Sequence, residues 1–245
     1  MKNKLVMAAL IAGLAFTPVQ AAEKVKVGVS KMAALTNAWV AKQAGIFEKN
    51  GLDVDLVEFR NGNEAISAHR SGAVDFVLSI PGTAMMAAER GFDLVLLTQN
   101  ETAKTKGPDA GALLVLSDSP FQAGVARNLS WIYVESVPEQ PIGAWFASST
   151  FIAKKKDVAM AFVKSIQEAI DYMHADEVRA RQNVAAFTGL DPKLTQTMPL
   201  NNWDWRISPA RWQETIDMMV KSGELTKPHK AEEYFSEVAR QFVVK

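Results

Sequence analysis

The chain contains no cysteine. A disulfide framework and thiolate chemistry are therefore excluded, and the fold has to be held by its core alone. Histidine is nearly as scarce: His69, His174 and His229 stand far apart in helical or loop contexts and do not form a joint metal or catalytic motif. An excess of either charge is missing too, with 27 Lys and Arg against 27 Asp and Glu, so there is no basic footprint for nucleic acid. No G-x-S-x-G elbow, glycine-rich phosphate loop, H-E-x-x-H or G-x-G-x-x-G is present, which removes the common enzyme signatures. Asp53 and Asp55 have strand spacing, and the carboxylates from Asp171 to Glu177 mark a solvated helix face.

What is present begins with MKNKLVMAALIAGLAFTPVQAAEK. Two lysines, an apolar run from Leu5 to Phe16, Pro18 and small residues form the pattern of a secretory signal peptide, and the run is too short for a permanent span. Cleavage after Ala21 makes residues 1–21 the leader and directs the protein to the periplasm. Removing Lys2 and Lys4 leaves two more acidic than basic groups, and no cysteine follows that could carry a lipid.

The stretch Gly62–Gly91 organises the rest. It predicts a helix from Glu64 to Arg70, a stop at Gly72, a strand from Val74 to Leu78, a turn through Pro81-Gly82, and a helix from Thr83 to Arg90. The apolar run Val74–Ile80 is too continuous for a half-exposed strand and belongs inside a helix-covered parallel sheet. Strands at 24–29, 53–59 and 93–98 and a helix from Thr36 or Asn37 to Gly45 complete a β-α-β-α-β-α-β run over the first hundred residues. Such a run predicts one doubly wound parallel sheet. Its ligand would lie at the carboxyl ends of the strands, in the loops 30–37, 60–63, 79–83 and 99–101. Ser79, Gly82 and Thr83 stand where helix-start N–H groups attract an anion or a carbonyl oxygen; plain helix capping by the same residues is the alternative.

Beyond Gly107-Pro108, Gly111–Ser117 reads as a fifth strand leaving the first lobe, and Pro141–Ala147 as a further strand. Asp157 opens a helix whose Val158, Phe162, Ile166, Ile170 and Met173 form a core-facing stripe. Helices follow over 175–187, 208–223 and 231–242. Asn201-Asn-Trp-Asp-Trp-Arg206 has no clear period. Trp39, Trp145, Trp203 and Trp205 offer either stacking surfaces or packing bulk; Lys31 and Arg60 offer either anion partners or solvated charge.

The export signal, Gly45-Ile-Phe47 with Gly51-Leu-Asp-Val54, Gly62-Asn-Glu-Ala-Ile-Ser67, Gly72-Ala-Val-Asp-Phe76, Gly111-Ala-Leu-Leu-Val115 and Pro141-Ile-Gly-Ala-Trp-Phe-Ala147 together resemble a known family. It is the periplasmic substrate-binding proteins of ABC importers, in the NMT1/THI5-like branch that takes sulfonates, taurine, nitrate and the thiamine pyrimidine precursor. The order and spacing of these pieces carry the resemblance. It implies an α/β, periplasmic-binding-protein-like fold: a clamshell closing on a small solute, with no catalysis, cofactor or metal, acting as a monomer with a membrane permease. Ligand contacts are implied at Met32, Leu35, Asn37, Asn63, Ser79, Gly82, Thr83, Asn100, Gly143 and Trp145.

The chain departs from that family in length. A second α/β lobe needs about 60 residues, since each βαβ unit takes ~30, and only 118–139 remains for it. The expectation is a doubly wound lobe over 22–117 and an incomplete, mostly helical second lobe over 118–245, with a segment near 121–124 absent. A non-transport sensor or a remnant that has lost its ligand are the alternatives. A thiamine-pyrimidine-synthase-like enzyme would need reactive cysteines, which are absent.

Overall fold

The computed structural model describes residues 21–105 and 139–244. The expected leader up to residue 20, the strand expected at 111–117 and the stretch 118–138 lie outside the described residues.

The first half follows the expected alternation: β1 (Glu23–Val29), α1 (Thr36–Gln43), α2 (Ile46–Lys49), β2 (Leu52–Glu58), α3 (Gly62–Arg70), β3 (Phe76–Ser79), α4 (Pro81–Glu89) and β4 (Val95–Thr102). Gly72 and Gly91 follow α3 and α4 with φ of 75° and 84°, left-handed values that glycine adopts without a Cβ clash. After the undescribed segment come β5 (Pro141–Ala147), α5 (Ser149–Lys154), α6 (Lys156–His174), α7 (Glu177–Thr188), α8 (Pro192–Thr197) and α9 (Pro209–Ser222).

The five strands form one sheet in the order β2-β1-β3-β5-β4. β1 runs parallel to β2 and β3, whereas β5 runs antiparallel to both of its neighbours, β3 and β4. The sheet is therefore mixed rather than wholly parallel. β5 is apolar on both sides: Trp145 and Ala147 enter one core layer, Ala144 and Phe146 the other. A strand alternates its side chains between faces, so a segment apolar on both is satisfied only in the middle of a covered sheet. Residues 141–244, assigned from sequence with 118–140 to a second lobe, thus contribute a central strand and its covering helices to the same body as β1–β4. Among the described residues there is one sheet.

On one face, Val27, Phe76, Leu97 and Trp145 meet Phe47 of α2 and the stripe Phe162, Ile166 and Ile170 of α6. Phe162 is the hub of this layer, stacked on Phe76 at 4.1 Å and on Phe47 at 5.9 Å, with Trp145 edge-on at 5.2 Å. On the other face, Val77, Leu96 and Phe146 meet Ile66 of α3, Met85 of α4, and Trp212 and Ile216 of α9.

The segment expected as a terminal helix over 231–242 forms two 3-10 turns, Ala231–Glu233 and Ala239–Gln241. Between them the chain pairs with the outer edge of β4: Leu96 N–H donates to the Tyr234 carbonyl (2.8 Å) and Ser236 N–H to the Leu96 carbonyl (3.1 Å). Farther along that edge, Thr102 N–H donates to the Asn202 carbonyl (3.1 Å) and Asp204 N–H to the Asn100 carbonyl (3.0 Å). An unpaired strand edge is a strong demand for partners, and it outcompetes local helix formation here.

His69, buried on α3, has its Nδ1 3.2 Å from the Val74 carbonyl, while Nε2 has no partner. A carbonyl only accepts, so Nδ1 carries the proton and Nε2 is a bare buried acceptor. Burial holds the imidazole pKa below its ordinary 6.5. A folded-state pKa below the unfolded one gives stability that is full above about 6.5 and drains away as pH falls below it. We expect the melting temperature of the wild type to drop between pH 7.5 and 5.5 more steeply than that of His69→Gln. Parallel slopes would contradict this assignment. In the opposite core layer, Phe162→Ala should cost about 3–5 kcal/mol in urea unfolding, because the rings around it cannot collapse into the space it leaves.

Candidate functional site at the carboxyl ends of the strands

Strands β1, β3 and β4 end on the same side of the sheet, and antiparallel β5 begins there. The chain leaves the sheet after Thr102 and returns at Pro141, two residues paired in register, with Ala103 N–H donating to the Gln140 carbonyl (2.8 Å). The side chains gathered at this end are hydroxyls, carboxamides and a carboxylate: Ser30, Asn37, Ser79, Asn100, Glu101 and Thr102, all buried.

Asn100 is the centre of this cluster. Its Oδ1 accepts from Asn37 Nδ2 and from Trp145 Nε1, both at 2.7 Å, and its Nδ2 donates to the Ala34 carbonyl at 3.1 Å. Trp203 Nε1 donates to that same carbonyl at 3.1 Å. Gln99, facing the other core layer, accepts from Trp212 Nε1 (2.9 Å) and donates to the Glu101 and Gly143 carbonyls. The carboxamides of Asn100 and Gln99 are thus largely committed within the protein, as burial demands.

Four expected contacts, Leu35, Asn37, Asn100 and Trp145, therefore meet in one place but belong to the frame of the site. Leu35 and Trp145 are buried in the core. The 3-10 turn Ala33–Leu35 runs straight into α1, so Thr36 N–H already donates to the Ala33 carbonyl and Ala38 N–H to Asn37 Oδ1 (2.8 Å). The Thr36 and Ala38 amides at this helix start are thus engaged, while the buried Thr36 Oγ1 has no hydrogen-bond partner among the described residues. The start of α4 differs. Ile80 provides no side-chain cap, Pro81 has no N–H, and the amides of Gly82 and Thr83 precede the first helical bond, Ala84 N–H to the Ile80 carbonyl (3.1 Å). Ser79 stands beside this start, its hydroxyl donating to the Ile80 carbonyl at 3.2 Å. Gly82 also lets α9 approach, since a Cβ there would lie 3.2 Å from Met219 Cε.

Met32 (52% exposed) and Ile80 (59% exposed) follow the tips of β1 and β3 and present apolar surface at this end. Asn63 and Thr83 instead line a groove of about 370 Å³ between α3 and α4, with Ser67, Arg90 and Phe92. Lys31 turns to Glu58 (3.7 Å) and the Phe187 ring, Arg60 pairs with Glu64 (3.3 Å), and Trp39 packs on Phe187. Those residues follow the packing or solvated-charge alternative. Among the described residues, no group of three or more metal-ligating side chains is placed to hold a metal ion.

Ser30, Glu101 and Thr102 of the cluster are not among the contacts implied from sequence. Glu101, 6% exposed, accepts from Asn201 Nδ2 at 2.6 Å through Oε1. Asn202 Nδ2 donates to Thr102 Oγ1 at 2.8 Å. The signal for the asparagines was the unpatterned Asn201–Arg206 run, whose lack of period reflects pairing with the edge of β4.

Because the Asn100 network is closed, Asn100→Leu should strand buried donors on Asn37 and Trp145. At about 1–3 kcal/mol for each group left unpaired, the variant should lose roughly 3 kcal/mol or more in urea unfolding. A loss under about 1 kcal/mol would mean that the network is not closed as described.

Residues 19–107 match the family model described as NMT1/THI5 like. No curated protein sequence matches the chain. Among solved structures, the ligand-binding component of an ABC-type import system from Staphylococcus aureus, with zinc bound, is similar at 15% identity and a TM-score of 0.68, covering 90% of this chain and 99% of that one. The alkanesulfonate-binding protein SsuA from Xanthomonas axonopodis pv. citri, bound to MOPS, is similar at 15% identity and a TM-score of 0.63, covering 89% and 99%. The periplasmic nitrate-binding protein NrtA from Synechocystis PCC 6803 gives 9% identity and a TM-score of 0.63, covering 91% and 87%. The chain has the periplasmic-binding-protein fold, and its first α/β half, residues 19–107, carries the NMT1/THI5-like family signature.

Proposed function

We propose that the protein is an exported solute-binding protein that captures a small solute in the periplasm and delivers it to the permease of an ABC importer. It works as a monomer and as a receptor rather than an enzyme. The observation that carries this reading is the uncapped start of α4 beside Ser79, at the end of the sheet where the polar cluster gathers at the tips of β1, β3 and β4. Helix-start amides carry positive potential and take an acceptor atom without a counter-charge. Exposed Met32 and Ile80 supply apolar contact beside them, the combination expected of a small-molecule site. The family match and the named ligand-binding roles of the similar structures support the same reading.

Ligand that binds only the folded form raises stability by about 2.7 kcal/mol at a hundred times its Kd. A thermal-shift panel of sulfonates, nitrate, amines and pyrimidines on the chain from residue 22 should therefore contain members that raise the melting temperature by several degrees. A flat response from a well-folded sample would overturn the receptor reading.

A further inference from the structure

The sequence holds two Asn-Gly pairs, Asn50-Gly51 and Asn61-Gly62. Such a pair is chemically labile, because glycine has no side chain to shield its amide nitrogen from the carboxamide carbon before it. We infer that Asn61 is a site of spontaneous deamidation in the folded protein, whereas Asn50 is protected. In this reaction the Gly62 nitrogen bonds to Asn61 Cγ, its proton and the Nδ2 amino group leave together as ammonia, and a cyclic imide remains. Water then opens the ring at one of its two carbonyls. The product at position 61 is aspartate, or isoaspartate, in which the backbone runs through the side-chain carbon.

Three contacts separate the two sites. The nucleophile at the first is occupied, since Gly51 N–H donates to the Glu48 carbonyl at 3.0 Å. Gly62 opens α3, and its N–H, one of the orphans of a helix start, has no partner among the described residues. The leaving group differs in the same sense. Asn50 Nδ2 donates to the Ile46 carbonyl (3.0 Å) and to Ser165 Oγ on α6 (3.1 Å), so Asn50 reacts only when α2 opens locally. Asn61 Nδ2 makes no hydrogen bond to the described residues. The third contact is at the carbonyl oxygen: Asn61 Oδ1 accepts Glu64 N–H at 3.0 Å. The tetrahedral intermediate gathers negative charge on that oxygen, and a donor already aimed at it stabilises the charge as it develops.

The conversion falls where β2 ends and α3 begins. Aspartate at 61 keeps the cap and adds a negative charge that a helix start favours. Isoaspartate loses the cap and loosens the first turn, which carries Asn63 into the groove between α3 and α4.

The test is incubation of the folded protein at mildly alkaline pH, followed by mass-spectrometric peptide mapping that separates aspartyl from isoaspartyl forms. Position 61 should convert at least as fast in the folded protein as in the urea-unfolded chain, while position 50 should convert about tenfold or more slowly when folded. Gly62→Ala places a Cβ where no atom lies within 4 Å; it should keep the wild-type circular dichroism spectrum and slow conversion at 61 severalfold. Equal conversion at the two positions in the folded protein, or protection of Asn61 by folding, overturns the assignment. Undiminished conversion in folded Gly62→Ala overturns attack by the Gly62 nitrogen, and the inference with it.

Discussion

The insertion of β5 between β3 and β4, in the reverse direction, is the constraint on which the rest of the molecule depends. It places Trp145 beneath Phe162 in one core layer and Phe146 against Trp212 in the other, so helices from the second half of the chain are committed to both faces of a sheet begun by the first. The same reversal brings the amino end of β5 level with the carboxyl ends of β1, β3 and β4. Exit and return of the chain at Thr102 and Pro141 are thereby side by side, at the end of the sheet where the polar cluster lies. Were β5 parallel, Gly143 would stand at the opposite end, away from Ser79 and Glu101.

That geometry creates a problem of polar burial. Carboxamides and hydroxyls brought to the strand ends lose water, and each donor or acceptor needs a partner. The Asn100 network solves this internally, with indole N–H groups from Trp145 and Trp203 delivered by distant parts of the chain. The structure thus sorts the polar residues at this end into two kinds. Asn37, Gln99 and Asn100 brace the loops against the sheet. The start of α4 carries no side-chain cap, and the Asn201 carboxamide oxygen is buried without a hydrogen-bond partner among the described residues.

How much of this was legible in the sequence depends on how local each feature is. The strands and helices of residues 23–102 follow from apolar runs, glycine stops and short connections, because each βαβ step is decided within some 30 residues. The stripe of α6 was legible for the same reason, and Val158, Phe162, Ile166 and Ile170 are indeed its buried face. The placement of β5 was not, since an apolar run on both faces states that a strand is buried but not between which neighbours. Tyr234, Phe235, Val238 and Phe242 have helix-compatible spacing, yet the open edge of β4 claims that segment. Asn100 and Gly143 were visible as candidates through the family resemblance. Glu101 and Asn201, a hundred positions apart, become partners only through the edge pairing that brings Asn202 to Thr102.

The two ends of the cluster are held apart by β5. Ser79 pairs with Ala144, and Glu101 with Gly143, across the two edges of β5. Two strand spacings of about 4.8 Å set them roughly 10 Å apart. The start of α4 and the tip of β4 thus stand on opposite edges of β5, so the polar groups at this end of the sheet are spread across its width rather than gathered on one strand.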